Sequence, residues 1–512
     1  SLALCQSSAI AGSSASSPEQ CTSGNDEVEA ATLLQVAFRL PDLQAKWRPV
    51  PKFEVERRWD PLLKLSHNKT CAKDGVNDAA FRHGLMLSER QFMPIYSTLP
   101  VGESSDSVER AVIYIHGIGQ DANTYFCDGV LIADAQNEAA STLTMAPWFG
   151  NAMVPAQLWN PLLPSGSESI HWSGSSWLSG GDTRISSTSA GTYSSFTVLD
   201  KLVEHLENQK HNGGLPNLKQ ISIAGFSAGC QMASRWAFFS AAVVSANVQV
   251  IVADCSSYLY LNSLRPSPEC AVARNTGPDH KCDSFGQPDG NEYEFNSYKY
   301  GLTFMGPENS YVNPFGFDLE LTSAAIDAFS SKNVRFLLGK EDVCMCGAAG
   351  MENDPDLCFP KGTHCSPNYY QFASNDIRCC DTYPDTFVDN LADFRLGGML
   401  QGSNRLQRGL NYVYYLQYFY AARGNTSYKA TWGVFDGGHD SAASWSSPFF
   451  TEWVFGKKVA KPPCPWKGED SNIIGGGEEC EPTSLPMSRA SVPNMGTWLP
   501  SGDAFMYSVW DA

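Results

Sequence analysis

The sequence lacks an uninterrupted apolar run long enough to cross a membrane. Its most apolar stretch, residues 236–253, is broken by polar residues, namely Ser240, Ser245, Asn247 and Gln249. A membrane-spanning helix needs about 20 consecutive, mainly apolar residues. We therefore expect no membrane span, and this stretch is better explained as the end of a helix followed by a strand.

Basic residues are also scarce. The chain has 36 Lys and Arg against 54 Asp and Glu, which gives a net charge of −18 at pH 7. Because nucleic acids and anionic membrane surfaces would repel such a protein, we expect neither as a partner. Only 18% of the residues are charged and 43% are apolar, which is typical of a globular protein. A chain of 512 residues can bury one large core or two ordinary ones.

Regular zinc-ligand spacing is missing from the densest group of cysteines. Six of the 16 cysteines lie between residues 344 and 380, with His364 nearby. Zinc sites usually contain Cys-x-x-Cys pairs, whereas this group contains Cys344-x-Cys346 and the adjacent Cys379 and Cys380. We therefore expect disulfides here rather than a metal site, and no cofactor is implied.

The cysteine content indicates an oxidising compartment, because so many free thiols would be unusual in a reducing cytosol. Two glycosylation sequons, Asn68-Lys-Thr70 and Asn425-Thr-Ser427, agree with this interpretation. The chain begins at Ser1 without a charged leading segment, so we expect that any signal peptide has been removed. The sequence thus predicts a glycoprotein that is secreted or located in the lumen of the secretory pathway.

Short apolar runs alternate with segments of helical periodicity in the middle of the chain. The runs predict strands at 85–97, 110–115, 141–146, 221–224, 248–254, 334–339 and 430–435. The patterns between them predict helices at 121–135, 194–209, 228–236 and 406–422. Strands alternating with helices predict an α/β fold with a mostly parallel central sheet and helices on both faces.

The organisation of the chain follows from these elements. Residues 1–78 are interpreted as an N-terminal strap or pro-segment remnant, 79–455 as the α/β domain, and 456–512 as a wrapping tail. Disulfide-rich insertions that interrupt the domain are expected to form a cap, at 150–192, 256–333 and 343–400. In the first insertion, Trp159, Trp172 and Trp177 favour an ordered lobe, where they more often anchor a minor core than bind a ligand.

The most informative stretch is Gly225-Phe226-Ser227-Ala228-Gly229. The apolar run before it predicts a buried strand, and the residues after it predict a helix. A strand, Gly-x-Ser-x-Gly and a helix together are typical of the nucleophile elbow, a tight turn that pushes the serine hydroxyl out of the sheet. The glycines leave room for the turn, and the helix directs backbone N–H groups towards developing negative charge. A plain Gly-Ser turn is the alternative.

Other residues extend the pattern to the ends of neighbouring strands. His116 and Gly117 follow the strand at 110–115, Asp342 follows the strand at 334–339, and His439 follows the last strand. On these residues and the elbow, the chain resembles the α/β-hydrolase superfamily across about residues 85–455. That superfamily shows its triad in the order Ser, Asp, His along the chain. The Ser-Ala-Gly form of the elbow is similar to that of secreted esterases and polyester depolymerases.

The resemblance implies a catalytic triad. Ser227 would attack a carbonyl carbon, His439 would accept the serine proton, and Asp342 would orient the imidazole. Two other acids stay open, Glu341 just before Asp342 and Asp254 at the end of the strand that follows the elbow. We prefer Asp342 to Asp254.

The resemblance also implies an oxyanion hole made by the backbone N–H groups of Ile118 and Ala228. His116 is expected to brace the loop that contains Ile118. Cys230 and Cys255 are a candidate disulfide beside the elbow.

The function implied is that of a serine hydrolase that cleaves small or polymeric carboxylic esters through an acyl-enzyme. A serine peptidase or an acyltransferase with the same triad is the nearest alternative. A binding protein that keeps the hydrolase fold without catalysis is a further one.

Overall fold

The computed structural model describes residues 81–184, 191–244, 248–267, 270, 282–306, 309–340, 342, 393, 395–402 and 404–458. All of them belong to one compact unit of the chain. The strands are β1 (Arg82–Met86), β2 (Gln91–Ser97), β3 (Arg110–Ile115), β4 (Thr142–Pro147), β5 (Glu168–Ser169), β6 (Gln220–Phe226), β7 (Val248–Ala253), β8 (Arg265–Pro266), β9 (Phe285–Gly286), β10 (Val334–Gly339) and β11 (Thr431–Phe435).

Helices occupy most of the connections. They are α1 (Ala122–Ala135), α2 (Ala156–Trp159), α3 (Ser195–His211), α4 (Ala228–Phe239), α5 (Glu292–Asn296), α6 (Asn313–Phe317), α7 (Leu319–Phe329), α8 (Leu396–Met399), α9 (Arg405–Ala422), α10 (Ser441–Trp445) and α11 (Pro448–Phe455). Short 3₁₀ turns are at Ala139–Ser141, Ser176–Ser179 and Ala241–Val244. The predicted helices at 121–135, 194–209, 228–236 and 406–422 are confirmed to within a few residues at each end.

The central sheet has nine strands in the order β1-β2-β4-β3-β6-β7-β10-β11, with β5 paired to β2. β1 and β4 lie antiparallel to β2, and every pair from β4 to β11 is parallel. The predicted α/β-hydrolase fold, with its mostly parallel sheet, is therefore confirmed by the topology. β8 and β9 form a separate two-stranded sheet.

The parallel strands are buried on both faces, which explains their nearly continuous apolar sequences. In β3, Ile113 and Ile115 face one core, whereas Val112 and Tyr114 face the other. The first core is covered by α3, α4, α7 and α9, and the second by α1, α10 and α11. Helices thus cover both faces of the sheet, and α4 is buried along its entire length.

The predicted strand at 85–97 is wrong in one respect, because this segment forms the hairpin of β1 and β2. A proline such as Pro94 favours an edge strand or a bulge, but β2 is an interior strand of the sheet. On the side away from β1, residues 91–92 pair with β5 and residues 95–97 pair with β4. Pro94 lies between these two pairings, so the N–H that it lacks is not needed for hydrogen bonds to β4 or to β5.

The tryptophans of the first insertion are core anchors. Trp172 and Trp177 are fully buried and Trp159 is nearly so. The Trp177 ring meets the edge of the His116 ring at a centroid distance of 4.9 Å. The described part of this insertion therefore packs around its aromatic residues, as the sequence predicted, and it supports the loop after β3.

The Cys230–Cys255 disulfide is present, and it joins the first turn of α4 to the residue that follows Asp254. A second disulfide, Cys270–Cys282, lies in the insertion after β7.

Other predictions fall outside the described residues: the strap at 1–78, the tail from 459, the cysteine cluster at 344–380 with His364, Glu341, and the sequon at Asn68. The division into domains and the cap remain predictions. No helix in the described part of the chain is long and apolar enough to cross a membrane.

Replacement of both Cys230 and Cys255 by Ala should lower the free energy of unfolding by about 3 kcal/mol, because the bridge restricts the unfolded chain. Denaturant titration of the oxidised proteins measures the difference. Under reducing conditions the double variant and the wild-type protein should unfold at the same denaturant concentration. Equal stability of the two oxidised proteins would contradict the prediction.

Candidate active site

The polar residues singled out from the sequence meet at one edge of the sheet. β3, β6, β7, β10 and β11 are parallel neighbours, so their carboxyl ends lie side by side. His116, Ser227, Asp254, Asp342 and His439 each follow one of these strands. The topology therefore places five chemically capable side chains along one edge of the sheet.

Ser227 lies on the turn between β6 and α4 in a rarely occupied backbone conformation, with φ 57° and ψ −114°. A Cβ built on Gly225 would lie 2.3 Å from the carbonyl oxygen of Gly229. One built on Gly229 would lie 2.2 Å from the carbonyl oxygen of Ile115. Both positions therefore require glycine, and the surrounding backbone holds the serine in its strained conformation.

His439 connects the serine to an acid. Its Nε2 lies 2.9 Å from Ser227 Oγ, and its Nδ1 lies 2.7 Å from Asp342 Oδ2. Because the carboxylate accepts from Nδ1–H, Nε2 is the nitrogen left to accept the serine proton. The imidazole also packs on Phe226, at a ring-centroid distance of 4.6 Å.

The nearby Asp436 and Asp440 shape the loop of His439. Asp440 Oδ1 accepts hydrogen bonds from the backbone N–H groups of Ala442 and Ala443 and so caps α10. Asp436 forms an exposed ion pair with Lys340 at 3.4 Å. Neither acid is used to orient the imidazole.

Asp342 is fully buried and ion-paired. Arg405, at the start of α9 and equally buried, lies 3.4 Å from Asp342 Oδ1. Burial alone would raise the pKa of Asp342, but the charges and hydrogen bonds of His439 and Arg405 outweigh it and lower the pKa below its usual value. The carboxyl group is therefore an anion at neutral pH.

Asp254, the alternative acid, lies in the same cluster but has a different partner. Its Oδ1 accepts the backbone N–H of Gly339 at 2.7 Å, and its Oδ2 is buried with no hydrogen-bond partner among the described residues. Asp254, Asp342 and His439 have ligand-type atoms within 4.8 Å of one another, as a metal site would. The His439 nitrogens, however, are already engaged with Ser227 and Asp342, an arrangement that suits proton transfer.

His116 braces its loop instead of transferring protons. Its Nε2 accepts the backbone N–H of Phe149 at 3.0 Å, so Nδ1 carries the hydrogen that is donated to the carbonyl of Gly117 at 2.8 Å. Burial lowers the pKa of His116 to about 4, although the hydrogen bond to Gly117 opposes this. The ring is therefore neutral at physiological pH and holds two backbone segments together.

The predicted oxyanion-hole residues both belong to segments that adjoin the serine. Ala228 is the first residue of α4, where a backbone N–H has no partner within the helix. A Cβ built on Gly117 would lie 3.8 Å from the Ser227 Cβ, so Ile118 follows a residue that adjoins the nucleophile. The same Cβ would lie 3.0 Å from the Tyr125 hydroxyl.

Arg405 is the residue that sequence reasoning missed. It is 63 positions beyond Asp342, and α9 carries buried charged and polar residues among its aromatic ones. Nothing in the local pattern singles out which residue of this helix would face the acid.

The chain is similar to known proteins in structure. No protein-family model matches the sequence, and no curated protein matches it. Poly(aspartic acid) hydrolase-1 from Sphingomonas sp. KT-1 is similar in structure, with 15% identity and a TM-score of 0.40, over 73% of this chain and 97% of its own. The poly(3-hydroxybutyrate) depolymerase LpqC from Bordetella parapertussis is 14% identical with a TM-score of 0.41, over 75% and 96%.

A third similar structure is the siderophore hydrolase EstB from Aspergillus nidulans, with 10% identity and a TM-score of 0.33, over 76% of this chain and 99% of its own. Identities and TM-scores of this size carry no argument about reaction or substrate.

Gly229→Ala should destabilise the protein by about 1–3 kcal/mol, because the added methyl group would overlap backbone atoms at the elbow. Gly191→Ala is a matched control, since a Cβ there meets nothing within 4 Å. Denaturant titration of both variants measures the effect. Equal stability of the two variants would show that the elbow has room for a side chain.

The low pKa of His116 should make the protein lose stability in acid. His116 has a pKa of 6.5 in the unfolded chain and of about 4 in the folded protein, so between these values protons bind to the unfolded state and stabilise it. The contribution of His116 to the free energy of unfolding is therefore complete above pH 6.5 and is lost as the pH falls to about 4. His116→Gln should remove up to about 3 kcal/mol of the difference in unfolding free energy between pH 7 and 4. A wild-type slope of unfolding free energy against pH in H116Q would contradict the assignment.

Proposed function

We propose that this protein is a serine hydrolase that cleaves carboxylic esters through an acyl-enzyme. The observation that carries the proposal is the continuous hydrogen-bonded series from Asp342 through His439 to Ser227, with distances of 2.7 and 2.9 Å. Nucleophile, base and orienting acid are all within hydrogen-bond reach, as this reaction requires.

In the first step, Ser227 Oγ attacks the ester carbonyl carbon while its proton passes to Nε2 of His439. The anionic Asp342 stabilises the imidazolium that forms and keeps the ring in the productive orientation. The backbone N–H groups of Ile118 and Ala228 would stabilise the negative charge on the carbonyl oxygen. The imidazolium then gives the proton to the leaving alcohol.

In the second step, water attacks the acyl-enzyme. His439 takes a proton from the water and returns it to Ser227 Oγ as the acid product leaves. Neither step needs a cofactor, and the same geometry serves a small ester or an ester link in a polymer. A serine peptidase or an acyltransferase would differ only in the leaving group or the acceptor.

A binding protein without catalysis is the rival class. Such a protein would need neither a serine in a strained conformation nor a carboxylate buried behind a histidine. Both features cost free energy, and such features cluster at sites where they serve the chemistry. They therefore favour an enzyme.

Secretion is part of the proposal. The disulfides Cys230–Cys255 and Cys270–Cys282 are compatible with an oxidising compartment. Asn425 lies in the turn that follows α9, and its side-chain oxygen accepts a hydrogen bond from the Ser427 hydroxyl at 3.0 Å in an exposed position. This sequon is accessible to glycosylation.

A fluorophosphonate probe should label the folded protein covalently, because it reacts with an activated serine. Ser227→Ala should abolish the labelling, whereas Ser446→Ala, a change in a serine near the end of α10 outside the triad, should not. In-gel fluorescence measures the labelling, and circular dichroism establishes that each variant is folded.

Absence of labelling in folded wild-type protein would contradict the enzyme and favour the binding protein. With labelling established, matched ester and peptide substrates distinguish an esterase from a peptidase. Faster cleavage of a peptide than of the ester with the same acyl group would overturn the ester assignment.

A further inference from the structure

Asp254 is a second carboxyl group in the triad cluster that the proposed reaction does not use. It is fully buried at the end of β7, and its φ of 52° is in the left-handed region. A non-glycine residue in this region is strained, so the surrounding structure must hold it there.

The hydrogen bond of Asp254 reaches the turn that carries the catalytic acid. Its Oδ1 accepts the N–H of Gly339, the last residue of β10, at 2.7 Å. The carbonyl oxygen of Gly339 in turn accepts the N–H of Asp342 at 3.1 Å. Asp254 therefore fixes one end of a tight turn whose other end is Asp342.

The loop of His439 packs against the same point. A Cβ built on Gly339 would lie 2.9 Å from Asp254 Oδ2, and 2.9 and 3.0 Å from the carbonyl oxygens of Gly438 and Gly437. These two glycines immediately precede His439. A displaced Asp254 side chain would thus disturb both the acid and the base of the triad.

The charges around Asp254 favour its neutral form. The titratable groups that face it are Asp342, Arg405, His439 and Tyr258. Burial, and then the negative charge of Asp342, raise the pKa of Asp254 well above its usual value. The N–H of Gly339 and the positive charge of Arg405, which is ion-paired with Asp342, act in the opposite direction but are outweighed.

We propose that Asp254 is a positioning residue that acts as a neutral carboxylic acid. One side-chain oxygen accepts the N–H of Gly339 and so holds the turn. The other oxygen carries a proton, so Asp342 is the ionised carboxyl group of the pair. The kinetic consequences rest on the proposed triad, but the protonation state does not.

Infrared difference spectroscopy tests the protonation state without any substrate. The spectrum of the wild-type protein minus that of Asp254→Asn at pH 7 should contain the C=O stretching band of a protonated carboxyl group. The control variant Glu138→Gln, which replaces a carboxyl group whose pKa is lowered to about 2 by its hydrogen bonds with Ser141 and Arg110, should instead remove a carboxylate band. Loss of a carboxylate band in D254N would overturn the proposal, whether or not the protein is a hydrolase.

The dependence of kcat/KM on pH tests the positioning role. In D254N the side-chain oxygen can still accept the N–H of Gly339, and the side chain is uncharged, as proposed for Asp254. The kcat of D254N and the acid limb of its kcat/KM profile should therefore stay close to those of the wild-type enzyme. Asp254→Ala removes the acceptor and should lower kcat by up to about 10²-fold, the usual effect of a misplaced catalytic group. D342N should lose about 10⁴-fold.

Two kinetic results would overturn the proposal. If Asp254 were ionised, D254N would remove a negative charge beside His439 and move the acid limb to lower pH by about one unit or more. A wild-type rate in folded D254A would show that Asp254 positions nothing. If D254A does not fold, the D254N profile and the infrared spectrum still decide the protonation state.

Discussion

The structure of the site depends on one buried ion pair, between the carboxylate of Asp342 and the guanidinium of Arg405. A carboxylate as deeply buried as this one would be strongly destabilised without a positive partner. The imidazole of His439 is a dipole in its neutral form and cannot supply that charge alone. His439 and Arg405 together therefore hold the pKa of Asp342 low, and only an ionised Asp342 can stabilise an imidazolium in the proposed reaction.

The position of the serine depends on a different constraint, the close approach of backbone segments. Gly225 and Gly229 allow β6 and α4 to meet the end of β3 at distances that no side chain would permit. The strain at Ser227 persists because α4 is buried on all sides and because the Cys230–Cys255 bridge joins its first turn to the end of β7. The same bridge lies next to Asp254, so the nucleophile and the acidic cluster share one covalent support.

The sequence revealed those parts of the fold and site that leave a local pattern. Strands buried on both faces have continuous apolar runs, so β3, β7 and β10 could be located to within a residue. Ser227, Asp342 and His439 could be found because each follows such a strand. Arg405 could not, since its pairing with Asp342 spans 63 residues and depends on how α9 packs on β10. The hairpin of β1 and β2 was missed because the alternating pattern of residues 85–97 continues across its turn. Pro94 suggests an edge or a bulge, and only the change of partner from β5 to β4 makes an interior proline acceptable.

The balance of charge links the neutral state proposed for Asp254 to the chemistry proposed for Ser227. Before reaction, the negative charge of Asp342 is balanced by the positive charge of Arg405, and the imidazole is neutral. In the transition state the imidazolium gains one positive charge while the carbonyl oxygen gains one negative charge, so the buried cluster remains balanced. An ionised Asp254 would add a negative charge near the imidazole throughout. It would hold His439 in its protonated form before reaction and so oppose removal of the serine proton. In the proposed reaction a neutral Asp254 would avoid this opposition, and burial beside Asp342 raises the pKa of Asp254 in that direction.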